Sequence, residues 1–289
     1  MFHVESSSRS SATACVRLPT QLELESSLGR IIAVVNQKGG VGKTTTSVNL
    51  ASALAIAERR VLLIDADPQA NSTRALGIEE DAERASLYDA ISGEAVLQDV
   101  AMSVPGLPHL TLVPGDRDLI GAEIELSGTD GREFRLKTLL ASVRESYQHI
   151  LIDCPPSLGL LTLNALTAAD AVLIPVQCEY LALEGISQLT DTLDRVRQAL
   201  NPALEIEGVV MTMFDERTNL SKQVVDEVRT VFGELVYKTV VPRNIRLGEA
   251  PSHGKPIFLY DIRSRGAEAY LNLAKEFVEH EKKGAGQGA

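Results

Sequence analysis

Aromatic residues and cysteines are scarce in this sequence. Aromatic side chains make up 4% of the 289 residues and tryptophan is absent, so a core must be built from Leu, Ile, Val and Ala. The three cysteines, Cys15, Cys154 and Cys178, form no CxxC pair. This spacing excludes a disulfide scaffold and a spaced zinc site, and it is typical of proteins from a reducing compartment.

Long apolar runs are also lacking. The longest candidate, residues 168–176, is interrupted by Asp170 and Pro175. It is far shorter than the roughly 18 apolar residues that span a bilayer. The N-terminus has no apolar stretch of the kind that marks a secretory signal. The sequence therefore predicts a cytoplasmic protein without a membrane partner.

Positive charge is in deficit. Lys and Arg number 28 against 39 Asp and Glu, which gives a formal net charge of −11. That balance argues against a nucleic-acid partner, because phosphate binding requires a basic surface. Apolar residues make up 44% and charged residues 23% of the chain, which is ordinary for a folded domain and excludes general disorder.

The chain divides into one long patterned region and two short ends. Residues 1–29 are rich in serine and are predicted to be a disordered extension; a transit peptide is the alternative, which Glu5 disfavours. Residues 30–281 contain no repeat and no linker, so they are predicted to form a single domain. Residues 282–289 are predicted to be a flexible tail.

Strand and helix patterns alternate from residue 30 onward. Residues 31–35 form a continuous apolar run typical of a strand buried on both faces, residues 44–57 have helical spacing, and residues 61–64 predict a second strand. Strand, helix and strand in this order form a βαβ unit. Further strands are predicted at residues 110–113, 150–152, 171–176, 208–213 and 236–241, and further helices at 132–147, 181–200, 221–232 and 266–281.

This alternation predicts a doubly wound α/β fold, with a mostly parallel sheet and helices on both faces. In such folds ligands bind at the carboxyl ends of the strands. Asp65, Asp67 and Asp153 each lie just beyond a predicted buried strand. We therefore expect the three carboxylates at the edge of the sheet where a ligand would bind.

A glycine-rich loop, residues 37–45, connects the first strand to the first helix. Its glycines allow backbone N–H groups to face phosphate oxygens, and the helix N-terminus adds positive potential. Lys43 can reach the β- and γ-phosphates, and the Thr44 hydroxyl can bind Mg²⁺. The common phosphate-loop pattern has glycine where this chain has Gln37, and a second lysine, Lys38, follows. From the residues alone Lys38 is either a phosphate ligand or a solvated surface lysine.

The residues from Lys38 to Thr45 resemble the deviant Walker A motif of the ParA/MinD family of P-loop ATPases. In that family the extra lysine reaches across a nucleotide-sandwich dimer to the partner's phosphates. Residues 61–69 resemble the family's switch I segment, and residues 150–156 resemble its Walker B and switch II segments. The resemblance extends from Arg30 to about Glu279.

The resemblance implies a set of site residues. Lys38, Lys43 and Asp67 are implied to be catalytic, with Asp67 orienting or activating the attacking water. Asp153 is expected to hold Mg²⁺ through a water molecule, because Mg²⁺ keeps much of its hydration shell. For Asp65 two interpretations stay open: a role at the site, or a carboxylate that binds nearby backbone N–H groups. The implied nucleotide contacts are Lys38, Gly39, Gly40, Val41, Gly42, Lys43, Thr44 and Thr45, with Met213 and Pro242 near adenine; the implied metal ligands are Thr44, Asp67 and Asp153.

Three segments in the C-terminal half look like those of chromosomal, Soj-type ParA partition ATPases: residues 176–185, 212–219 and 241–256. In that branch the arginines that match Arg217 and Arg246 bind DNA without reading its sequence. The alternative for each is a solvated surface arginine. Residues 217–265 hold nine basic and five acidic residues, so the overall acidity does not exclude a local basic patch.

Other branches of the family match less well. A MinD-like membrane ATPase would end in a basic amphipathic helix, whereas residues 267–281 carry four glutamates. An iron-protein reductase would need cluster-binding cysteines, whereas Cys154 and Cys178 are expected to be small buried apolar residues. An N-terminal DNA-binding domain of the plasmid ParA type would need more than 29 residues.

The sequence thus predicts a Mg²⁺-dependent ATPase that acts as a switch. ATP would join two subunits, the dimer would bind double-stranded DNA non-specifically, and a ParB-like centromere-binding protein would stimulate slow hydrolysis and release. Such a protein would be nucleoid-associated. The alternative is a nucleotide-dependent positioning scaffold that acts through protein contacts without DNA. Whether the cargo is a chromosome or a plasmid stays open.

Overall fold

The apolar runs of the sequence form the strands of one sheet. The computed structural model describes residues 28–79, 81, 83–180 and 182–285. Within these residues the sheet has seven strands: β1 Arg30–Val34, β2 Val61–Asp65, β3 Met102–Val104, β4 Leu107–Val113, β5 His149–Asp153, β6 Ala171–Gln177 and β7 Glu205–Thr212.

The strand order is β3-β4-β2-β5-β1-β6-β7, and every pair is parallel except the edge pair β3–β4. Val34 of β1 pairs with Asp153 of β5, and Asp153 in turn pairs with Asp65 of β2. The carboxyl ends of these three neighbouring strands are therefore level. This edge of the sheet presents the loops that carry the predicted site residues.

Helices cover both faces of the sheet, which confirms the predicted doubly wound α/β fold. Helices α6 to α9 pack with one apolar cluster, and α1, α11 and α12 pack with the other. The helices are α1 Lys43–Ile56, α2 Asn71–Ala75, α3 Leu87–Ser92, α4 Leu97–Val100, α5 Leu119–Glu125, α6 Arg135–Ala141, α7 Leu160–Ala168, α8 Ala182–Ala199, α9 Asn219–Phe232, α10 Ile245–Glu249, α11 Ile257–Tyr260 and α12 Arg265–Ala285.

The helix that carries the phosphate loop is held between the sheet and the last helix. Eleven residues of α1 are buried, and α12 packs directly against it. Tyr270, Leu273 and Phe277 lie at helical spacing along the inner face of α12 and are at most 1% exposed. Among the helices that the structure describes, none is both long and apolar enough to cross a bilayer.

The predicted strand at residues 236–241 is wrong. Val236 forms a single bridge to Val209, and Pro242 a single bridge to Phe214, but no ladder joins them. The physical reason lies in α12, because the Glu276 carboxylate accepts the backbone N–H groups of residues 238 and 239 at 2.7 and 2.9 Å. Tyr237 and Val241 donate their N–H groups to carbonyls of β7, but Glu276 takes the Thr239 N–H between them, so no continuous ladder forms.

The predicted helix at residues 132–147 is shorter than expected. Only residues 135–141 are α-helical, with 3₁₀ turns before and after them. The backbone N–H groups of Ser142 and Val143 bond to carbonyls three residues earlier, which tightens and ends the helix. The guanidinium of Arg144 then bonds to the Gly29 carbonyl and to Asp170, which ties this turn to the start of the domain.

The described residues continue past both ends of the predicted domain. Gly29 donates its backbone N–H to the carbonyl of Arg144, so this residue belongs to the fold. At the other end α12 continues to Ala285, four residues past the predicted helix. The predicted extension up to residue 27, including Cys15, and the last four residues of the predicted tail lie outside the described residues.

Candidate functional site

The glycine-rich loop leaves β1 and enters α1 at the level edge of the sheet. Gly40 and Gly42 have φ angles of 76° and 91°, a region that residues with a Cβ atom rarely adopt. A Cβ atom on Gly39 or Gly40 would meet no atom within 4 Å. The backbone of the loop therefore faces open space and is accessible to a ligand.

The N-terminus of α1 offers backbone donors to that space. Gly42 is its N-cap and no side chain caps the helix, and the first turn contains no acidic residue. The first N–H groups of a helix lack partners within the helix, and the helix dipole is positive at this end. The arrangement fits a phosphate, which accepts hydrogen bonds and carries negative charge.

Lys43 is the buried cation of the site. Its residue is 7% exposed and its Nζ donates to the Lys38 carbonyl at 3.3 Å, across the loop. Burial lowers the pKa of Lys43, while the negative charge of Asp153 and Asp67 opposes that shift. An anion bound in the loop would favour the charged ammonium further.

Asp153 lies fully buried at the end of β5 and binds two hydroxyls. Ser47 of α1 donates to Oδ1 at 3.0 Å, and Ser72 of α2 donates to Oδ2 at 2.7 Å. Burial raises the pKa of Asp153, and the hydrogen bonds from Ser72, Thr44 and Ser47 oppose it. This carboxylate therefore joins the phosphate-loop helix to α2.

Asp65 lies opposite Asp153 and binds Thr73, the residue of α2 that follows Ser72. Its Oδ2 accepts the backbone N–H of Thr73 at 2.8 Å and the Thr73 hydroxyl at 2.7 Å. The Thr73 hydroxyl accepts the N–H of Gly115 at 3.1 Å. The geometry favours the interpretation of Asp65 as a carboxylate that binds backbone N–H groups, here those of Thr73 and Asp67. Burial and the charge of Asp153 raise its pKa.

Asp67 is 6% exposed and organises the turn between β2 and α2. Its Oδ1 accepts the N–H of Gln69 at 2.9 Å, and its carbonyl accepts the N–H of Ala70 at 2.8 Å. Ala70 has a φ angle of 49°, which is unusual for a residue with a Cβ atom. The turn brings the Asp67 carboxylate close enough to Lys43 to influence its charge.

The predicted metal ligands Thr44, Asp67 and Asp153 occupy this one edge of the sheet. They supply a hydroxyl and two carboxylates, and oxygen atoms of these kinds are the ligands that Mg²⁺ prefers. Two buried carboxylates, Asp65 and Asp153, raise the negative potential there, which a divalent cation would offset. The residues therefore fit a magnesium ion beside the phosphate loop.

Lys38 forms an ion pair with Glu179, which follows β6. The Lys38 side chain is 41% exposed, so it lies at the surface of the loop while Lys43 lies inside. Its backbone N–H donates to Asn36 Oδ1 at 2.9 Å, which orders the loop at this point. The structure thus separates the two lysines into an inner and an outer one.

The predicted adenine contacts lie together beside the loop. Thr212, the last residue of β7, donates its hydroxyl to the Val41 carbonyl at 2.8 Å, which places Met213 next to the phosphate loop. The bridge from Phe214 brings Pro242 to the same end of β7. Met213 has a φ angle of 51°, which turns the chain sharply after the strand.

Arg217 and Arg246 are exposed, and each is paired with carboxylates. Arg217 binds Asp215 with an N–O distance of 2.7 Å. Arg246 on α10 binds Glu249 at 2.8 Å and Asp261 at 3.5 Å. Side-chain exposures of 83% and 54% leave both guanidinium groups accessible to solvent.

The two cysteines of the domain are free and buried, as expected. Burial raises the pKa of the Cys154 thiol, and it raises the pKa of Cys178 to about 12. Both are therefore neutral near pH 7 and pack as small apolar side chains.

Several polar partners of the site carry little or no signal in the sequence. Ser47 follows Lys43 by four residues and so lies on the same side of α1, a spacing that could have identified it. Ser72 and Thr73 form a polar pair shortly after Asp67, but nothing in the pattern indicates which strand each would reach. The Glu179 partner of Lys38 lies 141 residues away and has no local signal.

Comparisons with known proteins identify relatives of this chain. A profile of the AAA domain matches residues 29–206 of the chain. The sporulation initiation inhibitor protein Soj of Bacillus subtilis (strain 168) is 58% identical over 249 residues, which cover 86% of this chain and 98% of that protein. The chromosome partitioning protein ParA of Myxococcus xanthus (strain DK1622) is 55% identical over 254 residues, covering 88% of this chain and 89% of that protein.

Solved structures share the fold and hold nucleotide. A cobyrinic acid a,c-diamide synthase from Mycobacterium smegmatis, with bound ADP and magnesium, has a TM-score of 0.78 and 38% identity, covering 89% of this chain and 97% of that one. The septum site-determining protein MinD from Pyrococcus horikoshii OT3, complexed with Mg-ADP, has a TM-score of 0.71 and 27% identity, covering 86% and 96%. Sequence, fold and phosphate loop agree: the chain belongs to the ParA/MinD family of deviant Walker A ATPases, in its Soj-type branch.

Proposed function

We propose that this chain is a Mg²⁺-dependent ATPase that works as a DNA-partition switch. The observation that carries the proposal is the two-lysine phosphate loop, with Asp67 and Asp153 at the same edge of the sheet. Relatives at 55–58% identity are named for chromosome partitioning or as Soj, and structural relatives hold ADP with magnesium. ATP is therefore the proposed substrate, and ADP and phosphate are the products.

Phosphate binding falls to the loop and the start of α1. The backbone N–H groups from Gly39 to Thr45 would surround the β- and γ-phosphates, and the buried ammonium of Lys43 would neutralise their charge. Thr44 and Asp153 would hold the Mg²⁺ ion, with Asp67 beside them. When bound, the ion supplies positive charge to the phosphate oxygens during transfer.

Asp67 is the proposed residue for the attacking water. The water oxygen would form a bond to the γ-phosphorus as the bond to the bridging oxygen of ADP breaks, and the water proton would pass towards the Asp67 carboxylate. An aspartate is a weak general base near pH 7, because its ordinary pKa is about 4. We therefore expect slow hydrolysis that a partner protein accelerates.

Lys38 is the proposed link between two subunits. As the outer lysine it can exchange Glu179 for a phosphate presented by a second copy of the chain, whereas Lys43 binds the subunit's own nucleotide. ATP would then lie between the two subunits and hold the homodimer together. Met213 and Pro242 would contact adenine at the end of β7.

Arg217 and Arg246 are the proposed DNA contacts of that dimer. Guanidinium groups bind phosphate oxygens in a sequence-independent manner. A ParB-like centromere-binding protein would stimulate hydrolysis and so release the dimer from DNA. The protein would be cytoplasmic and associated with the nucleoid.

Duplex binding at one salt concentration, measured with ADP, ATP and a slowly hydrolysed ATP analogue, tests the proposal. Sedimentation of the same samples reports the dimer. We expect duplex binding and dimer formation with ATP and with its analogue, and neither of them with ADP. The variant Lys38→Ala should bind nucleotide but remain monomeric, and Arg246→Glu should dimerise without binding DNA. Lys137→Ala changes an exposed lysine on α6 and is the matched control.

Each part can fail separately. A Lys38→Ala protein that still dimerises with ATP would refute the cross-subunit role. A wild-type protein that hydrolyses ATP and dimerises but binds no duplex in any nucleotide state would favour the positioning scaffold. The pairing of Arg217 and Arg246 with carboxylates is the observation that supports the positioning scaffold as a second candidate.

A further inference from the structure

A groove of about 780 Å³ lies between α12 and the loop that connects β7 to α9. Three arginines line it: Arg217 in the loop, Arg243 just after Pro242, and Arg265 at the first residue of α12. They come from three separate segments, so only folding brings them together. Arg243 and Arg265 were not among the residues predicted from the sequence.

Two of these arginines bind neighbouring carboxylates of the same loop. Arg217 donates from Nε and Nη2 to the two oxygens of Asp215, at 2.9 and 2.7 Å. Arg265 donates from Nη1 and Nη2 to the two oxygens of Glu216, at 3.0 and 3.4 Å. Both contacts are the paired, parallel hydrogen bonds that guanidinium groups also make with phosphate.

These ion pairs are exposed and therefore easily exchanged. The Arg217 and Arg265 side chains are 83% and 68% exposed, and ion pairs in solvent contribute little to stability. The arginines nevertheless hold the pKa of Asp215 at about 2 and lower that of Glu216, so both carboxylates are charged near pH 7. Among the described residues, no carboxylate lies within ion-pair distance of Arg243.

We propose that Arg265, together with Arg243, extends the phosphate-binding surface of Arg217, and that Asp215 and Glu216 occupy the guanidinium groups when DNA is absent. The ligand is a nucleic-acid backbone phosphate. This inference rests on the proposed DNA binding. The two carboxylates then act as internal competitors that a duplex displaces.

The competition explains how an acidic protein can bind DNA conditionally. Asp215, Glu216 and Glu268 balance the three arginines of the groove in a single subunit. One groove therefore attracts a duplex weakly. Two grooves on one dimer double the number of phosphates that can be neutralised together, and affinity rises steeply with that number.

The test measures binding of a labelled duplex of arbitrary sequence to the full chain with Mg²⁺ and the ATP analogue, over a range of salt. Arg265→Ala should bind about 10-fold more weakly, and the slope of log affinity against log salt should become shallower by about 2, one contact for each subunit. Glu216→Gln should bind more tightly, because the competitor has lost its charge. Glu205→Gln, at an exposed position at the start of β7, is the matched control and should equal the wild type.

Dimerisation with the ATP analogue serves as the test of folding for each variant, and Arg265→Lys should keep most of the salt slope because the charge is retained. A wild type that binds while Arg265→Ala binds equally well with the same slope would overturn the inference. Unchanged affinity of Glu216→Gln would overturn the internal competition. A wild type that binds no duplex in any state would instead refute the proposed DNA binding itself.

Discussion

At the scale of single residues, the site is dominated by two carboxylates that face each other. Asp65 and Asp153 are register partners on β2 and β5, and neither is exposed to solvent. Burial raises the pKa of both carboxyls; the charge of Asp153 raises the pKa of Asp65 further, and the charge of Asp67 does the same for Asp153. The hydroxyls of Ser47, Ser72 and Thr73 offset part of this cost by hydrogen bonding.

This arrangement predicts a particular pH dependence of stability. The pKa of Asp65 is higher in the folded chain than in the unfolded chain, where it is about 3.8. The folded chain therefore holds this proton more tightly. As the pH rises above that value, the unfolded state loses its proton first, so the free energy of unfolding falls until the raised pKa is passed. Asp65→Asn removes this penalty. Without nucleotide, its melting temperature should exceed that of the wild type by more at pH 8.5 than at pH 5.5.

Thermal melts at pH 5.5 and pH 8.5 give the melting temperatures to be compared. Both pH values lie above the sequence pI of about 5.0. Asp118→Asn, at an exposed aspartate before α5, is the control and should show no such divergence. A constant difference between Asp65→Asn and wild type across this range would contradict the raised pKa. A loss of ATPase activity in Asp65→Asn would not contradict the raised pKa, because activity reports on the position of α2.

At the scale of elements, two of the five residues of α2 bind the carboxylates of two neighbouring strands, while Ala75 packs in the apolar cluster with α1. Ser72 binds the aspartate of β5 and Thr73 binds the aspartate of β2. Such a short helix contributes little stability of its own, so its position relies on tertiary contacts, of which these hydrogen bonds are the polar part. The N–H of Gly115 adds a third connection, from the loop after β4.

Thr73→Val is expected to release α2 from the sheet. The variant keeps the shape of the side chain but leaves the Asp65 carboxylate and the Gly115 N–H without their hydroxyl partner. We expect a loss of about 1–3 kcal/mol in the free energy of unfolding, with faster amide exchange concentrated in residues 71–76. Thr73→Ser retains the hydroxyl and should restore protection. Equal exchange in the valine variant and the wild type would show that α2 is held by other contacts.

Much of the fold and of the site followed from local pattern. Buried strands beside a glycine-rich loop are short-range signals, and they correctly predicted the central strands, α1 and the edge where Asp65, Asp67 and Asp153 meet. Two of the failures involve partners distant in sequence. Residues 236–241 look like a strand until Glu276 on α12 takes two of their N–H groups. The pairing of Arg265 with Glu216 likewise joins residues 49 positions apart.

At the scale of the whole molecule, α12 links the end of the chain to the phosphate loop. Phe277 and Tyr270 are almost fully buried against the face of the sheet that α1 occupies. The Thr46 hydroxyl, in the first turns of α1, lies 3.2 Å from the Tyr270 hydroxyl. Packing of the last helix therefore supports the helix that would bind phosphate.

Phe277→Ala should accordingly destabilise the entire domain. Removing a buried ring leaves a cavity between α12 and the sheet, and the expected loss in the free energy of unfolding is about 3–5 kcal/mol. Denaturant titration measures it. Val231→Ala on α9, at a side chain that is 63% exposed, should change the value by no more than about 0.5 kcal/mol. A Phe277→Ala protein as stable as the control variant would argue against a structural role for α12.

Because α2 is attached to two strands at once, the number of residues in the connection before it matters. Successive Cα atoms are about 3.8 Å apart and paired strands about 4.8 Å apart, so adjacent residues of one chain can reach adjacent strands. Ser72 and Thr73 do this across the boundary between β5 and β2. The spacing from Asp67 to Ser72 must then be kept to the residue: one insertion there would shift both contacts at once, and each aspartate would face the wrong side chain.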